Sequence, residues 1–312
     1  MKYTQNVLNI LALQTFKGVG NAWIVSNFKA NTSVEEFVEL INRKKPQSES
    51  VTLNSFENIK HNIALELDAL DENSNAIALG DELFPAYRGK VAASKQPVVL
   101  FYKGDIKLLQ KTNKNLAVIG LLNPTAQIEK VERYVVKEFI ANGVTIVSGL
   151  ALGCDTIAHD ETLKNGGATV AILPSTLEKI MPSSNAELAN EIVVNGGLLI
   201  TEYYKEANSK HEVINRYIQR DRLQALFSDG VVLSASYVPN NKGLDSGSRH
   251  AMNAAKEYGL KRAVIYNKQL HSNDAMYELN KQIAQEEGTI VINKDSLKKS
   301  IATLVAQQSS LF

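Results

Sequence analysis

Apolar residues recur three and four positions apart in successive windows of the first 80 residues: Leu8 and Leu11, Ile24 and Phe28, Phe37 with Leu40 and Ile41, then Phe56, Ile59, Ile63, Leu67 and Leu70. A 3.6-residue repeat is the mark of amphipathic helices, so residues 1–82 are predicted to form a small helical domain. Within it, Gly18 and Gly20 fall between two helical patterns in "LQTFKGVGNAWIVSNF" (13–28). The spacing suits a helix-hairpin-helix whose hairpin amides contact a DNA phosphate, and it equally suits a plain helix-helix turn. For so short a motif the plain turn is the preferred reading.

From about Pro85 the pattern changes, and short β-branched runs alternate with helical windows. The predicted strands are 98–102, 116–120, 144–148, 168–173, 198–202, 230–234, 262–266 and 289–292, with amphipathic windows such as 127–142 and 211–229 between them. Strands that are apolar throughout, rather than on alternate residues, belong to a parallel sheet covered on both faces. The fold class is therefore α/β: a Rossmann-like, doubly wound, mostly parallel sheet over residues 83–305, preceded by the helical domain and followed by a tail, 306–312.

Composition narrows the function classes. A chain of 312 residues that is 44% hydrophobic and 21% charged can bury a sizeable core. Its formal net charge of +1 gives no global field, so a nucleic-acid contact must come from a local patch. Cys154 is the only cysteine, which excludes an intramolecular disulfide and any Cys/His zinc spacing. No apolar run approaches the ~18 residues that span a membrane, and the N-terminus reaches no small-residue cleavage site. A soluble, cytoplasmic protein without metal or cofactor is expected.

In a doubly wound sheet, ligands bind beyond the carboxyl ends of the strands, where loops enter helix N-termini. The first such exit carries Gly120 and meets Thr125, an expected N-cap. Leu122 and Thr125 occupy positions where the dinucleotide fingerprint needs glycine, which argues against NAD or FAD. The second exit is "SGLALGCDTIAHD" (148–160): Ser148, Gly149 and Gly153 permit close backbone approach, Asp155 opens a helix, and His159 follows one turn later, either toward a ligand or packed on the sheet. The third leads to Ser246, Gly247, Ser248 and Arg249 at another helix start. A fourth element, "NRYIQRDRLQALFSD", brings Arg216, Arg220 and Arg222 close together, with 216 and 220 on one helix face suited to a phosphate backbone.

Taken together these motifs resemble the DNA-processing protein A (DprA, also called Smf) family. Its pattern Ser-Gly-Leu-Ala-x-Gly-Ile-Asp-x-x-Ala-His is matched by Ser148 to His159 except at Cys154, which stands for Ile. The likeness continues through "FPAYRGKVAASKQPVVLFYKGD" (84–105), "ATVAILPSTLEKIMPSSNAELANEI" (168–192), "GGLLITEY" (196–203), Arg220-Asp221-Arg222 in place of Arg-Asn-Arg, and Ser246-Gly247-Ser248. Leu13 to Phe28 is similar to the family's N-terminal module. The resemblance implies a recombination mediator that binds single-stranded DNA in a basic pocket without catalysis, forms a homodimer, and loads a RecA-type recombinase, as in natural transformation. Tyr203, Tyr204, Tyr217 and Tyr237 are the candidate stacking platforms.

The sequence also departs from the pattern. Ile119-Gly120-Leu121-Leu122 replaces Val-Gly-Ser-Arg, removing a hydroxyl and a guanidinium from the expected anion site; Asp221 replaces Asn, Ile218 replaces Pro, and Ala251-Met252-Asn253 replaces Thr-Ala-Arg. By the same resemblance, the chain is expected to lack the C-terminal winged-helix-like domain that many relatives carry. Two other readings compete. A nucleotide-binding sensor of a related fold, including one acting in defence, fits the altered Gly120 loop. A phosphoribohydrolase does not, because its glutamate has no counterpart around 245–249. The other is an adaptor docking on the replication sliding clamp: Gln308, Leu311 and Phe312 in the terminal "QSSLF" resemble a clamp-binding peptide.

Overall fold

The structure, a computed structural model, describes residues 2–30, 32–43, 50–239 and 247–306. Four helices open the chain: α1 (Gln5–Gln14), α2 (Asn21–Asn27), α3 (Val34–Asn42) and α4 (Leu53–Asp68). Thr4, Ser33 and Thr52 cap α1, α3 and α4 by accepting from backbone amides three residues on. Their apolar stripes meet in a core built on Ile10, Leu13, Phe37, Phe56 and Leu67, with Phe28 stacked on Phe37 at 5.4 Å. The turn holding Gly18 and Gly20 docks on the chain that follows, since the Asn21 side chain donates to the Gln96 carbonyl at 2.8 Å.

The helical pattern does not run to the end of this region. Residues Asn75–Ala78 form β1, an edge strand paired antiparallel with β2 (Val99–Gly104). "NAIA" offers neither alternation nor a β-branched run: only Ile77 and Ala78 are buried, and as neighbours they enter the cores on opposite faces of the sheet. The N-terminal core is continuous with the sheet through Phe101 of β2 and Ala171, Leu173 and Leu199 further along.

All eight predicted strands are present, with boundaries shifted by no more than two residues: β2, β3 (Lys114–Ile119), β4 (Val144–Ser148), β5 (Thr169–Ile172), β6 (Leu198–Thr201), β7 (Gly230–Leu233), β8 (Lys261–Ile265) and β9 (Thr289–Ile292). The order is β1-β2-β6-β5-β4-β3-β7-β8-β9, parallel except for the β1–β2 and β2–β6 pairs. Alternate residues feed opposite faces. Leu116 and Val118 of β3 pack against α5 (Ala126–Ala141), α6 (Cys154–Lys164) and α12 (Leu297–Val305). Ala117 and Ile119 lie in the core that holds α8 (Lys210–Leu226) and α9 (Arg249–Glu257). The first face also carries α7 (Ala186–Val194), and α10 (Lys268–His271) and α11 (Glu278–Ile283) join β8 to β9.

This topology dictates where a ligand can sit. The chain builds β3 to β6 outward in one direction, then crosses back to lay β7 on the other side of β3. Connections therefore diverge between β3 and β7, which opens a crevice at their carboxyl ends.

One buried side chain holds the far edge of that crevice. Asn280 of α11 accepts from the Ser236 amide at 3.0 Å and donates to the carbonyls of Leu233, Ser234 and Ile265 at 3.0–3.1 Å. Replacing Asn280 with Ala strands these groups in the interior, and urea denaturation is expected to show a loss of about 2–4 kcal/mol.

Candidate functional site

The site is assembled from the loops that leave β3, β4 and β7. At the end of β4 the Ser148 hydroxyl donates to Val118 O at 2.6 Å, tying this exit to its neighbour. The chain then turns through Leu150, whose φ of +57° makes it the only non-glycine left-handed residue among those described. Asn185 stabilises the turn by donating to Leu150 O at 2.9 Å and to the Thr156 hydroxyl at 2.8 Å. Gly153, at φ +75°, caps α6; a Cβ there would also overlap the Leu121 and Leu122 backbone. The result is a tight loop that starts α6 beside the crevice with Asp155 in its first turn.

Gly149 admits the group that faces this loop. A Cβ on it would overlap the guanidinium of Arg220, which reaches across from α8 with its side chain only 6% exposed. Arg220 Nη1 lies 3.5 Å from Asp155 Oδ2 and 3.3 Å from Asp221 Oδ1. Its Nε makes no hydrogen bond among the described residues. Burial pushes the Asp155 carboxyl up from its ordinary range, and Arg220 opposes that shift. On the third side, the Ser248 hydroxyl donates to Gly120 O at 2.9 Å, which binds the start of α9 to the β3 exit. These groups enclose a cavity of about 420 Å³ whose floor includes Gly120, Asp155, Arg220 and Gln224. Gly247, Ser248, Arg249 and His250 close one end, and Tyr217, Ile214, Ile218 and Leu122 form an apolar rim.

Of the predicted residues, Gly120, Asp155, Arg220, Gly247, Ser248 and Arg249 line this cavity, and Gly149 and Gly153 shape its wall. Others lie elsewhere. Thr125 is an exposed N-cap whose hydroxyl accepts from the Ile128 amide, and Ser148 is buried in its bond to β3. His159 is not at the surface of the site: it is fully buried, bonded through Nδ1 to Thr169 Oγ1 at 2.7 Å, and held neutral with a pKa lowered to about 3 by burial. Arg216 is committed to Glu212 at 2.6 Å and to the Lys205 carbonyl, with its guanidinium 4.0 Å from the centre of the Tyr203 ring. Arg222 points to the opposite side of α8, in a two-pronged pair with Glu202 at 2.8 Å per contact. Ser246 and the tail residues Gln308, Leu311 and Phe312 lie outside the described residues.

Comparison with known proteins matches residues 75–302 to the model of the family "DNA recombination-mediator protein A". The chain belongs to this family. The DNA processing protein DprA of Bacillus subtilis is 28% identical over 183 residues, 57% of this chain and 59% of that one. This chain thus spans less than two thirds of that relative's length. Among solved structures, DprA from Streptococcus pneumoniae superposes with a TM-score of 0.67 at 25% identity, covering 96% of this chain and 99% of that one. A Helicobacter pylori DNA processing protein A, described for its single-stranded DNA binding mode, gives a TM-score of 0.56 at 26% identity over 73% of this chain and 95% of that one.

Against the recombination-mediator pattern, the altered β3 exit has a concrete form. Leu121 is buried, and Leu122, standing where a guanidinium was expected, is 45% exposed on the cavity rim. Of the four candidate tyrosines only Tyr217 lines the cavity; Tyr203 lies under Arg216, Tyr204 packs on Phe101, and Tyr237 packs against the main core.

Sequence reasoning also missed Gln224 and Glu132. Glu132 lies on the buried stripe of α5 that runs Ile128, Glu132, Val135, Phe139, so helical spacing alone marked it as an ionisable group inside the core. Its carboxyl oxygens make no hydrogen bond of good geometry; the Cys154 thiol and Ser234 hydroxyl are its polar neighbours. Burial raises its pKa to about 8. The folded state thus holds a proton that the unfolded chain releases near pH 4.5, and stability falls as pH rises through this window. Glu132→Gln is expected to remove that dependence, so that thermal melts of variant and wild type converge near pH 4.5 and diverge in favour of the variant up to about pH 8.

Proposed function

We propose that this chain is a recombination mediator that binds single-stranded DNA in the cavity between the β3, β4 and β7 exits, without catalysing a reaction. The observation that carries the reading is Arg220: a buried guanidinium whose Nε has no hydrogen-bond partner among the described residues, packed against Gly149 in the floor of a cavity that α9 enters with its N-terminus. Phosphodiester oxygens suit such a donor, and the positive end of a helix adds to the attraction. The Tyr217 ring and the apolar rim of Ile214, Ile218 and Leu122 offer surfaces to unstacked bases, which a duplex keeps inside its own stack. Family membership and the likeness to a relative described as binding single-stranded DNA support the same reading.

Family membership supports a wider role of the same kind. We place the protein in the cytoplasm as a homodimer that delivers a bound strand to a RecA-type recombinase, in transformation or in recombination of mobile DNA. Among the described residues no helix is long and apolar enough to cross a membrane. The clamp-docking proposal for the tail rests on its sequence alone.

Fluorescence anisotropy of a labelled thymine oligonucleotide, with a duplex of equal length alongside, tests the reading. Salt-sensitive preference for the single strand is expected; no binding at micromolar protein would turn the assignment toward a mononucleotide ligand. Arg220→Ala is expected to weaken binding and to reduce the slope of log K against log salt by about one. Arg222→Ala should leave that slope unchanged while costing stability, about 3–5 kcal/mol, because it strands the Glu202 carboxylate.

A further inference from the structure

Asp221 occupies a position at odds with an anion site. Its side chain is 14% exposed, and it lines the same cavity as Arg220, with Oδ1 3.3 Å from the guanidinium. Oδ2 faces the start of α9 across Gly247, 3.9 Å from where a Cβ on that residue would stand. Four further charged or titratable groups share the cavity wall: Asp155 from α6, Tyr217 from α8, and Arg249 and His250 from α9. With both carboxylates ionised, two negative charges stand against Arg220 and Arg249, and the cavity offers a phosphate little net attraction.

We infer that Asp221 is a built-in competitor for the cation that a DNA phosphate must engage, so that the site takes up its ligand together with a proton. The inference rests on the reading of this cavity as the DNA site. When Asp221 is neutral, its claim on Arg220 is lost, the carboxylic O–H becomes a donor, and the phosphate competes for the guanidinium with Asp155 alone. When Asp221 is ionised, the phosphate must displace it or bear its repulsion.

The balance lies in the physiological range. Burial, with the charge of Asp155, outweighs Arg220 and Arg249 and pushes the Asp221 carboxyl up to about 7. A phosphate at Arg220 raises it further, so binding draws in a proton and affinity falls as pH rises through that value. His250 is shifted the opposite way, below its ordinary range, chiefly by burial, which separates its titration from that of Asp221.

The test is anisotropy of the labelled thymine oligonucleotide between pH 5.5 and 8.5 at fixed ionic strength, with wild type, Asp221→Asn and Arg220→Ala. Thymine does not titrate over most of this range, and Asn is nearly isosteric with Asp, which preserves the fold. Wild type is expected to bind about tenfold more weakly at pH 8 than at pH 6. Asp221→Asn should give a flat profile and bind at pH 8 at least as tightly as wild type does at pH 6. A flat wild-type profile, or a pH dependence that survives in Asp221→Asn, overturns the inference while leaving the DNA site standing. If Arg220→Ala binds as wild type does, the DNA reading of the cavity fails, and the inference with it.

Discussion

Everything at the carboxyl edge of this sheet depends on one close approach, that of the Arg220 guanidinium to the backbone of Gly149. No residue with a side chain can stand at 149 without displacing it. The approach buries a cation where β4 ends and α6 begins, and Asp155 supplies the countercharge from the first turn of α6. Gly153 and the left-handed Leu150 give the loop the path that brings Asp155 there, and Asn185 stabilises that path from the next connection. Local strain and close packing here serve one end: a cation held in place with a donor still unspent.

The placement of that cation comes from topology rather than from composition. A chain of net charge +1 has no global positive field to draw in a polyanion. A doubly wound sheet, however, concentrates helix N-termini and strand exits where its winding reverses, between β3 and β7. A single buried arginine there acts in a low-dielectric recess, where its field is far stronger than on an open surface. The same recess makes neighbouring acids costly, which is why Asp155 and Asp221 hold their protons more tightly than free carboxyls do.

The sheet was legible in the sequence because its strands are apolar throughout and separated by helical windows, a pattern few other folds require. β1 was not, since an edge strand of four residues carries no pattern of its own. At the site, the glycines, Asp155 and Arg220 were legible because each sits in a motif whose geometry needs it. The arginine cluster misled. Arg220 and Arg222 are two apart and so cannot share a helix face, and the i−4 partner Glu212 was in plain view to neutralise Arg216. His159 shares a face of α6 with Asp155 but lies one turn further from the crevice, where it meets Thr169 at the start of β5. Glu132 escaped notice only because a carboxylate was not expected in an apolar stripe.

The central claim is that single-stranded DNA lies in the cavity against Arg220 and Tyr217. Photo-crosslinking with an oligonucleotide carrying iodouracil, followed by mass mapping of the modified peptide, tests it most directly, since iodouracil couples to aromatic side chains that touch the base. A crosslink on Tyr217 is expected, suppressed by unlabelled single strand but not by duplex. Crosslinks confined to the N-terminal helices, with Tyr217 unmodified, would contradict it.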